Sequence, residues 1–230
     1  MTTEDKAAIL TRDKAVIPTE DKATETARRR WNRTARRYDR LMAVMNRLLR
    51  LKEWREFLWS KVEGTHILEI GVGTGNSFDY YPAGAEITAV DFSEEMLERA
   101  RNRASRQEVK VHLQQADVQS LQYEDNTFDT VAASLVFCSI PDQVRGIREV
   151  ERVCKQGGKV VILEHDFCAN RALCWVVKLT NPLIVRMIGS NFNRRPVDNV
   201  TKSDLTIEQV TNIRFLAGIF NFKLIEARKI

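Results

Sequence analysis

The residues best equipped for chemistry lie in Ile67-Leu-Glu-Ile-Gly-Val-Gly-Thr-Gly75, an apolar strand that runs into a glycine turn. Glycines at 71, 73 and 75 permit a tight bend and let a ligand lie against bare backbone. The pattern that follows predicts a helix from Asn76 onward, whose N-terminus would favour a negatively charged ligand group. Together these features imply a nucleotide-type cofactor, against the competing explanation of a purely structural turn. A dinucleotide fingerprint, GxGxxG, would place its third glycine at position 76, where this chain has Asn76. The spacing here is GxGxG. Asp91 ends the next apolar run, Thr88-Ala-Val-Asp-Phe-Ser93, twenty-two residues beyond Glu69. That spacing fits one strand-helix-strand step, and a carboxylate there suits two hydrogen bonds from vicinal ribose hydroxyls. Phe92 is placed to pack on an adenine face, and Asp117 ends a third run. Either Asp alone is equally well explained as a helix cap; in order behind a glycine turn, capping explains them poorly.

These residues need a sheet to hold them. Strands are predicted at His66–Ile70, Glu86–Val90, Val109–Gln114, Thr130–Leu135 and Lys159–Glu164. Helices fall at Ser93–Ser105, with Ser93 as N-cap, and at about Gln143–Cys154, ending before a Gly157-Gly158 turn. Strands alternating with crossover helices favour a parallel, doubly wound sheet. Beyond Thr206 the pattern reads strand, Gly218 turn, strand, an antiparallel hairpin extending that sheet. Between Thr26 and Val62 there is no Gly or Pro, and Leu41, Val44, Met45, Leu48, Leu49, Leu51, Trp54 and Leu58 recur at three- and four-residue spacings. One or two amphipathic helices with a basic outer face follow. Residues 3–26 hold a period-eight polar repeat with little to bury, read as a mobile or weakly helical tail over 1–25, with a dispensable extension favoured over a regulatory or partner-binding role.

A chain of 230 residues can bury one substantial core. Its mean hydropathy of -0.33 and the lack of a spanning apolar run argue against an integral membrane protein, and the charged N-terminal residues do not read as a secretory signal. Cytoplasmic residence is the expectation. Cys138, Cys154, Cys168 and Cys174 have neither CxxC nor zinc-ligand spacing, so reduced core thiols and no metal are expected. The net charge of +5 is uneven: residues 28–61 carry twelve Lys/Arg against three acids, leaving the remainder acidic. Such a block faces an acidic membrane, a phosphate-bearing substrate, nucleic acid or simply solvent.

The GxGxG turn with Glu69 two places before it resembles that of class I S-adenosylmethionine-dependent methyltransferases. The likeness covers about residues 31–230 and is closest to the quinone and phospholipid branch, including small bacterial phosphatidylethanolamine N-methyltransferases. It implies an α/β, Rossmann-like, doubly wound, mostly parallel seven-stranded sheet with N-terminal helices over 26–62 and a methyltransferase domain over 63–230. By that resemblance the cofactor is S-adenosyl-L-methionine, held by Tyr38, Glu69, Gly71, Gly73, Gly75, Asp91, Phe92, Met96, Asp117, Val118 and Ser134. Tyr38 belongs to Trp31-Asn-Arg-Thr-Ala-Arg-Arg-Tyr-Asp39, which resembles the lid segment of that branch. Asp117 stands where the family hydrogen-bonds the adenine amino group.

Methyl transfer from a sulfonium needs alignment, exclusion of water and, for some acceptors, removal of a proton. His66 and His112 fall at strand positions and read as structural; His165, after the fifth strand, is the candidate base, beside the alternative of a polar residue lining the cleft. The segment 168–196 mixes apolar residues with Arg and Lys, which fits a substrate-recognition insert, an interfacial element or a core helix. With the basic helices it points to a lipophilic acceptor, foremost a phospholipid amine, reached by peripheral contact with an anionic membrane at the inner face. A quinone or other small molecule is the alternative acceptor. No nucleic-acid partner is expected, since Ser134-Leu-Val-Phe-Cys-Ser139 stands where a base-methylating loop would be. A nucleic-acid-binding protein and a non-catalytic sensor of the cofactor are the readings from other classes.

Overall fold

The computed structural model describes residues 22–166, 195–215 and 220–230, together with Leu179, Thr180, Leu183 and Asn191. The chain begins with two helices, α1 (Lys22–Leu49) and α2 (Leu51–Trp59), joined at Arg50, a left-handed residue with φ 51° that breaks the run without Gly or Pro. The strands β1 (His66–Ile70), β2 (Glu86–Asp91), β3 (His112–Gln115), β4 (Phe128–Ser134), β5 (Cys154–Asp166), β6 (Thr206–Phe215) and β7 (Phe220–Arg228) form one sheet in the order β3-β2-β1-β4-β5-β7-β6. The first five run parallel; β7 pairs antiparallel with both β5 and β6. The strand order therefore reverses between β1 and β4, the place where open α/β sheets bind ligands beyond the carboxyl ends of their strands.

Both faces of the sheet are covered. Leu68 and Ile70 of β1 join the core under α4 (Gln143–Val153), through Ile147, Val150 and Val153, and the short α5 (Pro196–Val200). Ile67 packs on the other face with Leu49 of α1, Leu58 of α2 and Leu97 and Ala100 of α3 (Glu94–Gln107). Ser93 caps α3 by accepting the Met96 N–H at 3.3 Å, as its position predicts. Cys138 and Cys154 are buried, whereas Cys168, Cys174 and most of the insert fall outside the described residues, as do residues 1–21 and the Gly218 turn. Among the described residues no helix is long and apolar enough to cross a membrane.

Three expectations change. Residues 22–25, assigned to the tail, are the first turn of α1. The helix expected from Asn76 onward is a single 3-10 turn at Phe78–Tyr80. Phe78 and Tyr81 turn inward onto each other, Tyr81 also meets Trp59, and Pro82 follows, so the segment folds into the core instead of propagating. The helix dipole assigned to the glycine turn is therefore absent. The Gly157-Gly158 pair is likewise not a turn between helix and strand: β5 starts at Cys154 and carries the glycines as an irregularity opposite Phe128–Thr130.

Candidate active site

A cavity opens beyond the carboxyl ends of β1, β2 and β4, where open α/β sheets bind ligands. Nine of the eleven residues expected to hold the cofactor line it: Tyr38, Gly71, Gly73, Asp91, Phe92, Met96, Asp117, Val118 and Ser134. The glycine turn bends because Gly71 and Gly75 take φ of +66° and +80°, and a Cβ at either would meet Val136 or the Phe78 ring at 2.4 Å. Gly73 instead faces the cavity, with the Tyr38 ring 3.8 Å from where its Cβ would stand.

Asp91 pins this turn. One carboxylate oxygen accepts the Gly73 N–H and the other the Ser93 N–H, each at 2.9 Å. Burial raises its pKa to about 6, against the lowering effect of those amides. A carboxylate has about four lone-pair sites, so two backbone bonds leave it able to accept from a ligand. Asp117 accepts from the Gln119 backbone at 2.9 Å, and the Gln119 side chain ties Asp117 to Thr24 of α1 and to the Asp142 amide.

Glu69 and Gly75 do not line the cavity. Gly75 serves the packing of Phe78, and the Glu69 carboxylate accepts a hydrogen bond from the Tyr81 hydroxyl; burial pushes its pKa up to about 7. His165, the candidate base, also lies off the described lining. It sits inside β5 opposite Phe222, 7% exposed, with its ring, the Cys138 thiol and the Glu164 carboxylate within 4.8 Å of one another. Glu164 accepts the Phe137 N–H at 2.6 Å, and its raised pKa of about 7, set by burial, is opposed by the neighbouring amides of the loop after β4. That carboxylate anchors the loop carrying Val136, Ser139 and Ile140 to the cavity wall. His66 lies at the exposed end of β1, 3.1 Å from Glu86.

The roof is α1. Thr24, Trp31 and Tyr38, each seven residues apart and so on one helix face, line the cavity. Only Tyr38 was expected; a stripe at two-turn spacing is the signal that finds the other two. Three polar contacts fasten the helix: Gln119 donates to Thr24 at 2.9 Å, Ser93 to Asn32 at 2.6 Å, and Thr74 to Asp39 at 2.6 Å. Arg99 and Arg103 add to Asp39 at 3.6 and 3.5 Å. Buried polar atoms on the lining, the Trp31 indole nitrogen and the Ser134 hydroxyl, have no hydrogen-bond partner among the described residues. Since buried polar groups are ordinarily satisfied, both suit a polar ligand such as the adenosyl cofactor.

Residues 68–162 match the family described as "Methyltransferase domain". A phosphatidylethanolamine N-methyltransferase of Cereibacter sphaeroides is 42% identical over 104 residues, 44% of this chain and 51% of that protein. A demethylmenaquinone methyltransferase of Clavibacter sepedonicus is 34% identical over 163 residues, covering 67% and 65%. The chain thus spans between about half and two thirds of the length of these relatives. A geranyl diphosphate methyltransferase solved with its cofactor superposes with a TM-score of 0.63 at 15% identity, over 78% of this chain and 85% of the other, a likeness of fold. The strand order, the glycine turn with its carboxylates and the match over 68–162 converge: residues 68–162 are similar to a methyltransferase domain, on a sheet with the Rossmann-like fold of class I S-adenosylmethionine-dependent methyltransferases.

Proposed function

We propose that this protein transfers a methyl group from S-adenosylmethionine to a lipophilic small molecule at an anionic membrane surface, and that the acceptor is a phospholipid amine. When bound, the cofactor supplies a methyl group activated on a sulfonium. In this reading Asp91 accepts from the ribose hydroxyls, Asp117 and Val118 receive the adenine with Phe92 against its face, and Ser134 borders the transfer end. Trp31 and Tyr38 exclude water from above, which strengthens every polar contact beneath them. Removal of a proton from an ammonium acceptor falls to His165 in this reading, which requires a path from its ring to the cavity.

One observation supports the acceptor class most: the outer face of α1. Arg33, Arg36, Arg37, Arg40 and Arg47 are exposed, and no ion pair is made by them among the described residues. On the same helix Leu41, Val44 and Leu48 are exposed at 41%, 56% and 63%. Cations beside an unburied apolar stripe fit an anionic lipid interface, where each Lys or Arg contributes about 1 kcal/mol. The identity to the phosphatidylethanolamine enzyme favours the amine; the identity to the demethylmenaquinone enzyme supports a quinone ring as the second reading.

Incubation with methyl-labelled cofactor and a total lipid extract decides between them. Label in N-methylated phosphatidylethanolamine is the expected result, label in quinone selects the second reading, and unlabelled lipid throughout overturns both. Reversing Arg33, Arg37 and Arg40 to Glu should abolish co-sedimentation with anionic vesicles while leaving cofactor affinity unchanged; undiminished sedimentation would remove the membrane surface from the proposal.

A further inference from the structure

The outer face of α1 has no cover among the described residues, although its side chains suit one. Arg33, Arg37, Arg40, Val44 and Leu48 follow one another at three- and four-residue spacings and so share that face, with Arg36, Leu41 and Arg47 beside them. All eight are exposed, and the five arginines make no ion pair among the described residues. The face thus joins a row of uncompensated cations to an apolar end at Leu41, Val44 and Leu48. An apolar patch rimmed by charge marks an interaction site. Away from a membrane, the same chain holds a segment of matching chemistry.

That segment is residues 1–21, which lead directly into Lys22, the first residue of α1. Its acids, Glu4, Asp5, Asp13, Glu20 and Asp21, outnumber Lys6, Arg12 and Lys14, so it is acidic where the α1 face is basic. Two copies of the period-eight repeat carry the apolar clusters Ala7-Ala8-Ile9-Leu10 and Ala15-Val16-Ile17, and Pro18 stands four residues before α1, where a returning chain must bend. The lengths agree. Leu41 and Val44 lie about 28–33 Å from Lys22 along the helix, and Leu10, twelve residues before Lys22, reaches up to about 40 Å when extended. Asp13, about 10 Å short of Leu10, then falls beside Arg33, Arg36 and Arg37. We infer that residues 1–21 fold back along α1, with Ile9 and Leu10 against Leu41 and Val44 and the acids over the arginines, and so compete with an anionic lipid surface for that face. The inference deepens the membrane reading above and rests on it. Lipid affinity is then scaled by the fraction of molecules whose face is uncovered; with about 10–30% uncovered, releasing the segment strengthens binding about threefold to tenfold.

The test uses the full chain and a variant carrying Ile9→Ser, Leu10→Ser, Val16→Ser and Ile17→Ser together, which weakens the docking but leaves every charge in place. Hydrogen exchange should be severalfold slower for the amides of residues 7–17 in the wild type than in a free peptide of residues 1–21. That protection should vanish in the serine variant, in the variant reversing Arg33, Arg37 and Arg40 to Glu, and on adding vesicles of phosphatidylglycerol and phosphatidylcholine. On the same vesicles the serine variant should sediment about threefold to tenfold more strongly than wild type. Exchange as fast as in the free peptide overturns the inference. So does a serine variant that binds vesicles no better than wild type, and one that binds worse would make the segment itself a membrane-inserting element. Protection that grows with protein concentration would assign the face to a second copy and overturn it as well. Protection with no sedimentation of either form supports the docking and sinks the membrane reading instead.

Discussion

Asp91 meets two demands that set its ionisation against each other. The backbone amides of Gly73 and Ser93, and the ribose hydroxyls it is proposed to hold, all donate and so require a carboxylate, while burial favours the acid. With the pKa raised to about 6, the group is ionised at pH 7.5 and becomes protonated as pH falls through 6. Cofactor affinity should therefore be flat above pH 7 and decline toward pH 5, in titrations of S-adenosylhomocysteine by calorimetry. Asp91→Asn should lower affinity at pH 7.5 by about tenfold to a hundredfold and remove the decline, because the amide no longer titrates. A variant that keeps the wild-type profile would assign the decline to another group.

The helix α1 behaves as a fastened roof whose contacts are polar and few. Asp39 holds Thr74, Arg99 and Arg103 at one end; Gln119 holds Thr24 at the other. Asp39→Ala should raise the rate of proteolysis within α1 severalfold and speed cofactor dissociation, with the melting of the sheet displaced by about 1 kcal/mol or less, as expected for half-exposed ion pairs. Unchanged cleavage would mean that the apolar stripe through Ala35, Met42 and Leu49 holds the helix unaided. The same helix shows what a sequence can reveal. Its helical run was legible from the three- and four-residue spacing, but its buried face only in part, since Leu49 is buried whereas Leu41, Val44 and Leu48 of that series are exposed; the glycine turn and Asp91 were legible because backbone bends and strand ends constrain residue type. Gln119 was not: its contacts with Thr24 and Asp142 join segments remote in sequence, which no local pattern encodes. The helix after Gly75 failed because inward-facing aromatics and Pro82 outweighed helical spacing.

At the scale of the molecule, the sheet's antiparallel side is joined to its parallel side by charge. Lys159 of β5, 6% exposed, lies 3.0 Å from Glu63 and 3.1 Å from Glu226 of β7, and Arg228 approaches Glu63 at 3.3 Å. Lys159→Met would leave the buried Glu226 with only Lys61 at 3.9 Å. Urea denaturation should show a loss of about 3–5 kcal/mol, largely restored by adding Glu226→Gln. If the single variant unfolds like wild type, the network contributes nothing to cohesion.

The placement of β7 between β5 and β6 also orders events during synthesis. Emerging from the ribosome, β6 has no neighbour to pair with until the strand encoded after it arrives, and until then β5 presents an open edge. A nascent chain that has exposed β6 but not yet β7 would therefore hold two unpaired strands, a target for chaperones or for another copy's edge.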